Sequence, residues 1–288
     1  MENSGIVERD GFSLGYSIEG EGIPLMVIGS AVYYRRLFSN TLKSGFRLIF
    51  IDHRGHVPSP AGQAGSDLDG LLDRVLDDVE AIREHLGLRD LIVAGHSGNA
   101  FLALEYARKY PAEVRKIVLL NTAPSNSSER QQQSIAFFEA DASEERKDKF
   151  QQDFALLPGD IEREPERRFA HMCIRMGAHS FYDYGYDATA MWEDVHTNMP
   201  VIDVLWGDAF ARLNMLERLE GLDKPVFIGL GQYDYLIGPL TLWDGIEEKH
   251  DYVRKVVFDR SGHNPMLEEP ERFEALLAEW IHSVPDRY

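Results

Sequence analysis

Apolar residues along the chain fall into short runs that alternate between two periods. Ile6 to Glu19 alternates apolar and polar positions around Asp10-Gly11, a dipeptide suited to a two-residue turn, so this stretch reads as an antiparallel hairpin at a sheet edge. Pro24 to Ser30 and Arg47 to Asp52 are nearly continuous apolar runs, the pattern of strands buried on both faces of a parallel sheet. Leu72, Val75, Val79, Ile82 and Leu86 recur at helical spacing, and Gly87 ends that helix. Leu91 to Gly95 is again a strand; a helical pattern begins by Ala100 and is broken by Pro111, and Lys116 to Leu120 is a further strand. Strands alternating with helices predict an α/β class, with a doubly wound, mostly parallel sheet and right-handed crossovers.

That alternation stops at Pro124. Residues 125–222 are polar and charged at first, then helical in pattern, with aromatics at Phe181, Tyr182, Tyr184, Tyr186, Trp192 and Trp206. The sheet resumes at Pro225 to Leu230, continues through Asp234 and returns at Tyr252 to Phe258, with a final helix from about Glu269 to Ser283. The chain therefore divides into a first core part, 1–124, a helical insertion after the sixth strand, 125–222, and a second core part, 223–288. Its 288 residues, 44% hydrophobic, suffice to bury one large core.

Charge narrows the function. A formal net charge of -18 repels phosphate backbones and anionic lipid, which argues against nucleic-acid and membrane partners and disfavours anionic substrates, unless Arg35, Arg36 or Arg175 points into the site. One cysteine, Cys173, cannot form an internal disulfide, and the first residues have neither a basic segment nor an apolar run, so the cytoplasm is the expected location. No run approaches the ~20 apolar residues of a membrane span. The histidines show no metal-ligand spacing, so neither metal nor cofactor is expected.

The stretch that carries chemistry is Leu91-Ile92-Val93-Ala94-Gly95-His96-Ser97-Gly98-Asn99-Ala100. The chain must reverse within about four residues around Ser97, and small residues two before and one after it let strand and helix approach closely while the serine is pushed outward on a strained backbone. A serine hydroxyl is a poor nucleophile near neutral pH, so it needs an imidazole to take its proton and a carboxylate to orient that imidazole. Asp234, in Gly231-Gln232-Tyr233-Asp234, and His263, in Ser261-Gly262-His263-Asn264-Pro265, lie beyond the carboxyl ends of strands, as Ser97 does, which is where open parallel sheets bind ligands. His96 adjoins the serine and is expected to point away from it along the turn.

Strand, Gly-x-Ser-x-small residue and helix, followed in chain order by the aspartate and histidine in these contexts, resembles the α/β-hydrolase superfamily over nearly the whole length. The resemblance implies the α/β-hydrolase fold, a helical cap at 125–222, and a triad of Ser97, Asp234 and His263. Asn121 occupies the other position that some relatives use for the acid. Two departures stand out: Asn99 replaces the second glycine of the elbow, and Ile28-Gly29-Ser30-Ala31 stands where most relatives carry His-Gly. The implied oxyanion donors are the backbone N–H of Gly98 and that of Ala31, with a phenol of Tyr33 or Tyr34 as the alternative. Relatives that attack with an elbow aspartate, the haloalkane dehalogenases and epoxide hydrolases, are excluded by the serine. The expectation is a cofactor-independent serine hydrolase that cleaves a small neutral carboxylic ester or lactone through an acyl-enzyme. Tyr33, Tyr34, Tyr182, Trp192 and Trp206 are the candidate substrate contacts. A prolyl-aminopeptidase-like amidase, with cap carboxylates holding an amino group, and a ligand sensor with negligible turnover are the alternatives.

Overall fold

The computed structural model describes residues 3–61 and 70–286. Eight strands form one sheet in the order β1-β2-β4-β3-β5-β6-β7-β8. β1 (Ser4–Arg9) and β2 (Phe12–Glu19) are the expected hairpin, and its turn residues Asp10 and Gly11 both take positive φ, 50° and 81°, the geometry that matches the twist of paired strands. β2 is also antiparallel to β4 (Phe46–Asp52). From there β3 (Ile23–Gly29), β5 (Leu91–His96), β6 (Val114–Leu120), β7 (Val226–Gly231) and β8 (Val253–Phe258) run parallel.

Successive side chains of the central strands enter two separate apolar layers. Val93, Ile117, Leu119 and Ile228 join the layer covered by α2 (Leu71–His85) and α3 (Asn99–Lys109). Ile92, Ala94, Val118 and Phe227 join the layer under α1 (Ala31–Leu37) and the closing helix Pro270–Ser283. Burial on both faces explains why these strands read as continuous apolar runs, and each fully buried Leu, Ile, Val or Phe contributes roughly 1.5–3 kcal/mol.

Between β6 and β7 the chain leaves the sheet as a series of helices, α4 (Ser128–Asp141), α5 (Glu144–Phe154), α6 (Leu157–Arg163) and α7 (Arg168–Arg175), followed by shorter helical segments that include Gly177–Ser180, Met199–Val204 and Met215–Leu219. The Ser127 and Ser143 hydroxyls accept the N–H of Arg130 and Arg146, so α4 and α5 start at side-chain caps. Among the described residues no helix is long and apolar enough to cross a membrane.

The junction of β5 and α3 is the tightest point of the fold. A Cβ on Gly95 would lie 2.2 Å from the Asn99 carbonyl oxygen, so only glycine lets the strand end meet the helix start. Asn99, the departure from the usual elbow glycine, is engaged on both sides. The Gly55 N–H donates to His53 Nδ1 (2.9 Å), which leaves His53 Nε2 as the protonated nitrogen facing Asn99 Oδ1 at 3.0 Å. Asn99 Nδ2 donates to the Tyr34 hydroxyl (3.0 Å), which faces His96 Nδ1 at 3.3 Å. His96 Nε2 meets the His263 carbonyl oxygen at 2.7 Å. Because a carbonyl can only accept, His96 Nε2 carries the proton and its Nδ1 receives the Tyr34 hydroxyl. The chain of donors therefore runs in one direction, from the loop after β4 to the loop after β8.

Burial holds these rings neutral. The His53 and His96 pKa values are driven well below the usual 6.5, first by burial and then by a neighbouring histidine. Burial also lowers His56 and His179 to about 4.

Two outcomes follow for stability. Gly95→Ala should cost about 1–3 kcal/mol by overpacking against backbone, and Asn99→Gly should also destabilise, by about 1–3 kcal/mol, because it orphans His53 and Tyr34. Urea midpoints check both; an Asn99→Gly protein as stable as the parent would show the asparagine to be idle. Second, folded-state pKa values below 6.5 mean that the unfolded chain takes up protons first as pH falls. Stability should thus decline as pH drops from about 6.5 towards about 4, by up to about 1.4 kcal/mol per pH unit for each such histidine. Urea titrations at pH 7.5 and 5.5 that gave equal midpoints would contradict this.

Candidate active site

Ser97 caps β5 with φ at +57°, a left-handed conformation that a non-glycine residue adopts only under constraint. Its N–H is held by the Leu120 carbonyl at 2.8 Å, and its side chain lines a cavity of about 370 Å³. His263 follows β8 and lines the same cavity. Its loop is tied down by the Glu268 carboxylate, which accepts the N–H groups of Gly262, Asn264 and Tyr182, and whose pKa is raised by burial. Asp234 follows β7 and is 1% exposed.

His263 Nδ1 and Asp234 Oδ2 are 2.7 Å apart. A carboxylate is acceptor-only when ionised, so Nδ1 is the protonated nitrogen and Nε2 keeps its lone pair. Asp234 also accepts the Leu236 N–H on Oδ1 (3.1 Å) and Asn121 Nδ2 on Oδ2 (2.8 Å). Asn121, at the alternative acid position, thus acts as a donor that braces the carboxylate. The His96 ring lies against the His263 ring, centroids 4.5 Å apart, and its Nε2 donates to the His263 carbonyl.

The expected oxyanion donors fare differently. The Gly98 N–H has no acceptor among the described residues, and Gly98 lines the cavity. The Ala31 N–H is committed elsewhere: it donates to Asp52 Oδ1 at 2.7 Å, because the chain after β3 forms helix α1 rather than a loop and Asp52 satisfies the first N–H of that helix. Burial in turn raises the Asp52 pKa to about 6. The N–H left without an acceptor among the described residues is that of Ser30, one residue earlier, and Ser30 lines the cavity. The Tyr34 hydroxyl is engaged by Asn99 and His96, whereas the Tyr33 ring packs on Trp192 at 4.6 Å.

Tyr33, Tyr34, Trp192 and Trp206 all line the cavity. Trp206 fills the space over Gly98, where a Cβ would come within 2.6 Å of its Nε1. Tyr182 does not line it: the ring is 40% exposed and packs edge-on against Tyr233, and Tyr184 and Tyr186 are likewise turned outward. Arg146 is the cause, since it binds the carbonyls of Ala178, Phe181 and Tyr182 from beneath and leaves Phe181 as the inward aromatic. In their place stand Phe169, Met172, Cys173 and Met176, one face of α7 and its C-terminal end. Their spacing of three, one and three residues is an apolar helical stripe that was readable in the sequence. Burial raises the Cys173 thiol to about 12.

None of the three arginines considered from the sequence enters the cavity. Arg35 pairs with Glu19, Arg36 binds the Met191 and Glu193 carbonyls, and Arg175 pairs with Asp160. Arg130 does line it, and among the described lining residues it is the one charged side chain; no carboxylate is among them. The expectation of a neutral substrate was drawn from a charge summed over the whole surface, which says little about one enclosed wall. Among the described residues no group of three or more His, Cys, Asp or Glu side chains is placed to hold a metal ion.

Comparison with known proteins agrees with this geometry at the level of fold and family. Residues 21–270 match the family model described as alpha/beta hydrolase fold. The AB hydrolase superfamily protein YclE of Bacillus subtilis (strain 168) is 53% identical over 281 residues, covering 98% of this chain and 99% of that protein. Among solved structures, a proline iminopeptidase of Mycobacterium smegmatis superimposes with a TM-score of 0.70 at 19% identity, covering 97% of this chain and 98% of its own. The esterase EaEST of Exiguobacterium antarcticum does so with a TM-score of 0.66 at 19% identity, covering 98% and 100%. At that identity the two structures speak for the fold alone. With its sheet order, its strained serine between β5 and α3 and a family match over most of its length, the chain belongs to the α/β-hydrolase family.

Proposed function

We propose that this protein is a serine hydrolase that cleaves a small to medium carboxylic ester or lactone through an acyl-enzyme. The observation that carries the reading is the 2.7 Å contact of His263 Nδ1 with the buried Asp234, in the loop that shares a cavity with the strained Ser97. Ser97 Oγ attacks the carbonyl carbon while His263 Nε2 takes its proton, and Asp234 stabilises the imidazolium that forms. The N–H groups of Gly98 and Ser30 receive the oxyanion. As the tetrahedral intermediate collapses, His263 returns the proton to the departing alkoxide; a lactone alkoxide stays tethered to the acyl group. Water, deprotonated by the same Nε2, then adds to the acyl-enzyme and releases the acid and Ser97.

The lining favours ester or lactone over the aminopeptidase alternative. An N-terminal ammonium in an enclosed site needs a carboxylate, and the described lining residues include none. The cavity, about 370 Å³ and lined in large part by aromatic and methionine side chains, suits a small to medium substrate.

Labelling, turnover and binding measurements test this reading. A fluorophosphonate should label Ser97 stoichiometrically, and Ser97→Ala and His263→Ala should abolish turnover of 4-nitrophenyl esters while ligand binding persists. Asp234→Asn should cost on the order of 10⁴, the loss known for the corresponding aspartate in serine proteases. A Ser97→Ala protein within tenfold of the parent rate would refute the mechanism; a parent that binds esters without cleaving them would favour the ligand-sensing alternative. Tyr33→Phe separates phenol from backbone at the oxyanion: kcat should change less than about tenfold, whereas a loss of roughly 10²–10³ would make the Tyr33 hydroxyl a donor.

A further inference from the structure

Arg130 stands alone in its charge. The chain carries 48 acidic against 30 basic side chains, and its other buried or half-buried arginines mostly meet carboxylates: Arg54 with Asp78, Arg83 with Glu80, Arg175 with Asp160, Arg218 with Glu105. Among the described residues Arg130 meets only neutral acceptors. Its Nε–H donates to the Ser125 carbonyl (3.2 Å), an Nη1–H to the Leu236 carbonyl (2.7 Å) and an Nη2–H to Asn126 Oδ1. A guanidinium has five N–H donors, so two remain. Asp234 is the acid whose field reaches it, and that carboxylate is already taken by His263, Asn121 and the Leu236 N–H. Arg146, also without a carboxylate, differs: it gives its donors to three carbonyls, lies over the rings of Tyr184, Tyr233 and Tyr235, and does not line the cavity.

A half-buried guanidinium loses hydration, and the cost is recovered when an anion docks on its free donors. Burial lowers the Arg130 pKa, the direction expected of a cation short of a partner. The three hydrogen bonds fix the planar fork between the start of α4 and the loop that carries Asp234, so it meets a ligand preorganised.

We propose that Arg130 is the anchor for a carboxylate on the substrate, so that the ester or lactone is a monoanion whose carboxylate and reacting carbonyl share the cavity that Arg130 and Ser97 line. This rests on the hydrolase reading above. One carboxylate matches the single unpaired charge, with His56 and His96 held neutral on the same wall. A phosphate dianion would leave a surplus negative charge in a cavity whose described lining has one cation. The three tethering bonds give the competing view, in which Arg130 is only a strut between α4 and the loop after β7.

The test compares matched ligands. Monomethyl succinate, glutarate and adipate are set against branched neutral esters of equal size, with methyl 5-methylhexanoate as the isostere of monomethyl glutarate. Binding to the Ser97→Ala protein by calorimetry should favour at least one monoanion by tenfold or more, and Arg130→Gln in that background should erase the preference. For turnover, kcat/KM for mono-4-nitrophenyl glutarate relative to 4-nitrophenyl 5-methylhexanoate should fall at least tenfold in Arg130→Gln, through KM, and recover in part in Arg130→Lys. Equal binding of charged and neutral members throughout, a preference that survives in Arg130→Gln, or tighter binding of a phosphate monoester of the same length would overturn the proposal. If Arg130→Gln fails to fold, the parent and Arg130→Lys comparison decides. Failure of fluorophosphonate to label Ser97 would remove the hydrolase reading instead, and the calorimetric contrast would still judge Arg130.

Discussion

The structure depends on one close approach, that of the β5 end to the α3 start. Two backbone segments meet there at a separation no Cβ could share, and the residue between them is forced to φ +57°. That strain sets the Ser97 side chain at the carboxyl edge of the sheet and leaves the Gly98 N–H without an acceptor among the described residues. The hydrophobic layers on both faces of the sheet supply the rigidity that keeps a conformation costing about 1–3 kcal/mol from relaxing.

Around this point the protein uses neutral polar groups where a looser site could rely on water. The donors from Gly55 through His53, Asn99, Tyr34 and His96 to the His263 carbonyl form one directed series, and burial keeps both ring members uncharged. A positive charge on His96 would lie against the His263 ring and oppose the imidazolium that the proposed chemistry generates. Asn99 is thus the link between the elbow and the histidine loop, which gives a physical reason for asparagine where relatives carry glycine.

The electrostatics of the cavity and of the whole chain have opposite signs. The chain as a whole carries a net charge of -18, while the described lining of the cavity carries a guanidinium and no carboxylate. Ionic screening separates the two: exposed charges farther than about 10 Å are largely cancelled by salt, whereas a charge on the cavity wall is screened much less. A total charge therefore cannot assign the sign of an enclosed site.

The sequence by itself determined the α/β class, the hairpin at Asp10-Gly11, the alternation of strands and helices, the helical insertion between β6 and β7, and the positions of Ser97, Asp234 and His263 past strand ends. Each of these rests on local rules: apolar period, turn chemistry and the steric demands of a short reversal. Only the tertiary structure decided which way individual groups face. It committed the Ala31 N–H to Asp52 and left that of Ser30 without an acceptor among the described residues, turned Tyr182 outward because Arg146 holds its backbone, drew His96 onto His263, and put Arg130 rather than Arg35, Arg36 or Arg175 on the cavity wall. Several of these outcomes depend on partners far apart in the chain, 21 positions for Ala31 and Asp52, 106 for Arg130 and Leu236 and 167 for His96 and His263, at contacts that no local pattern encodes.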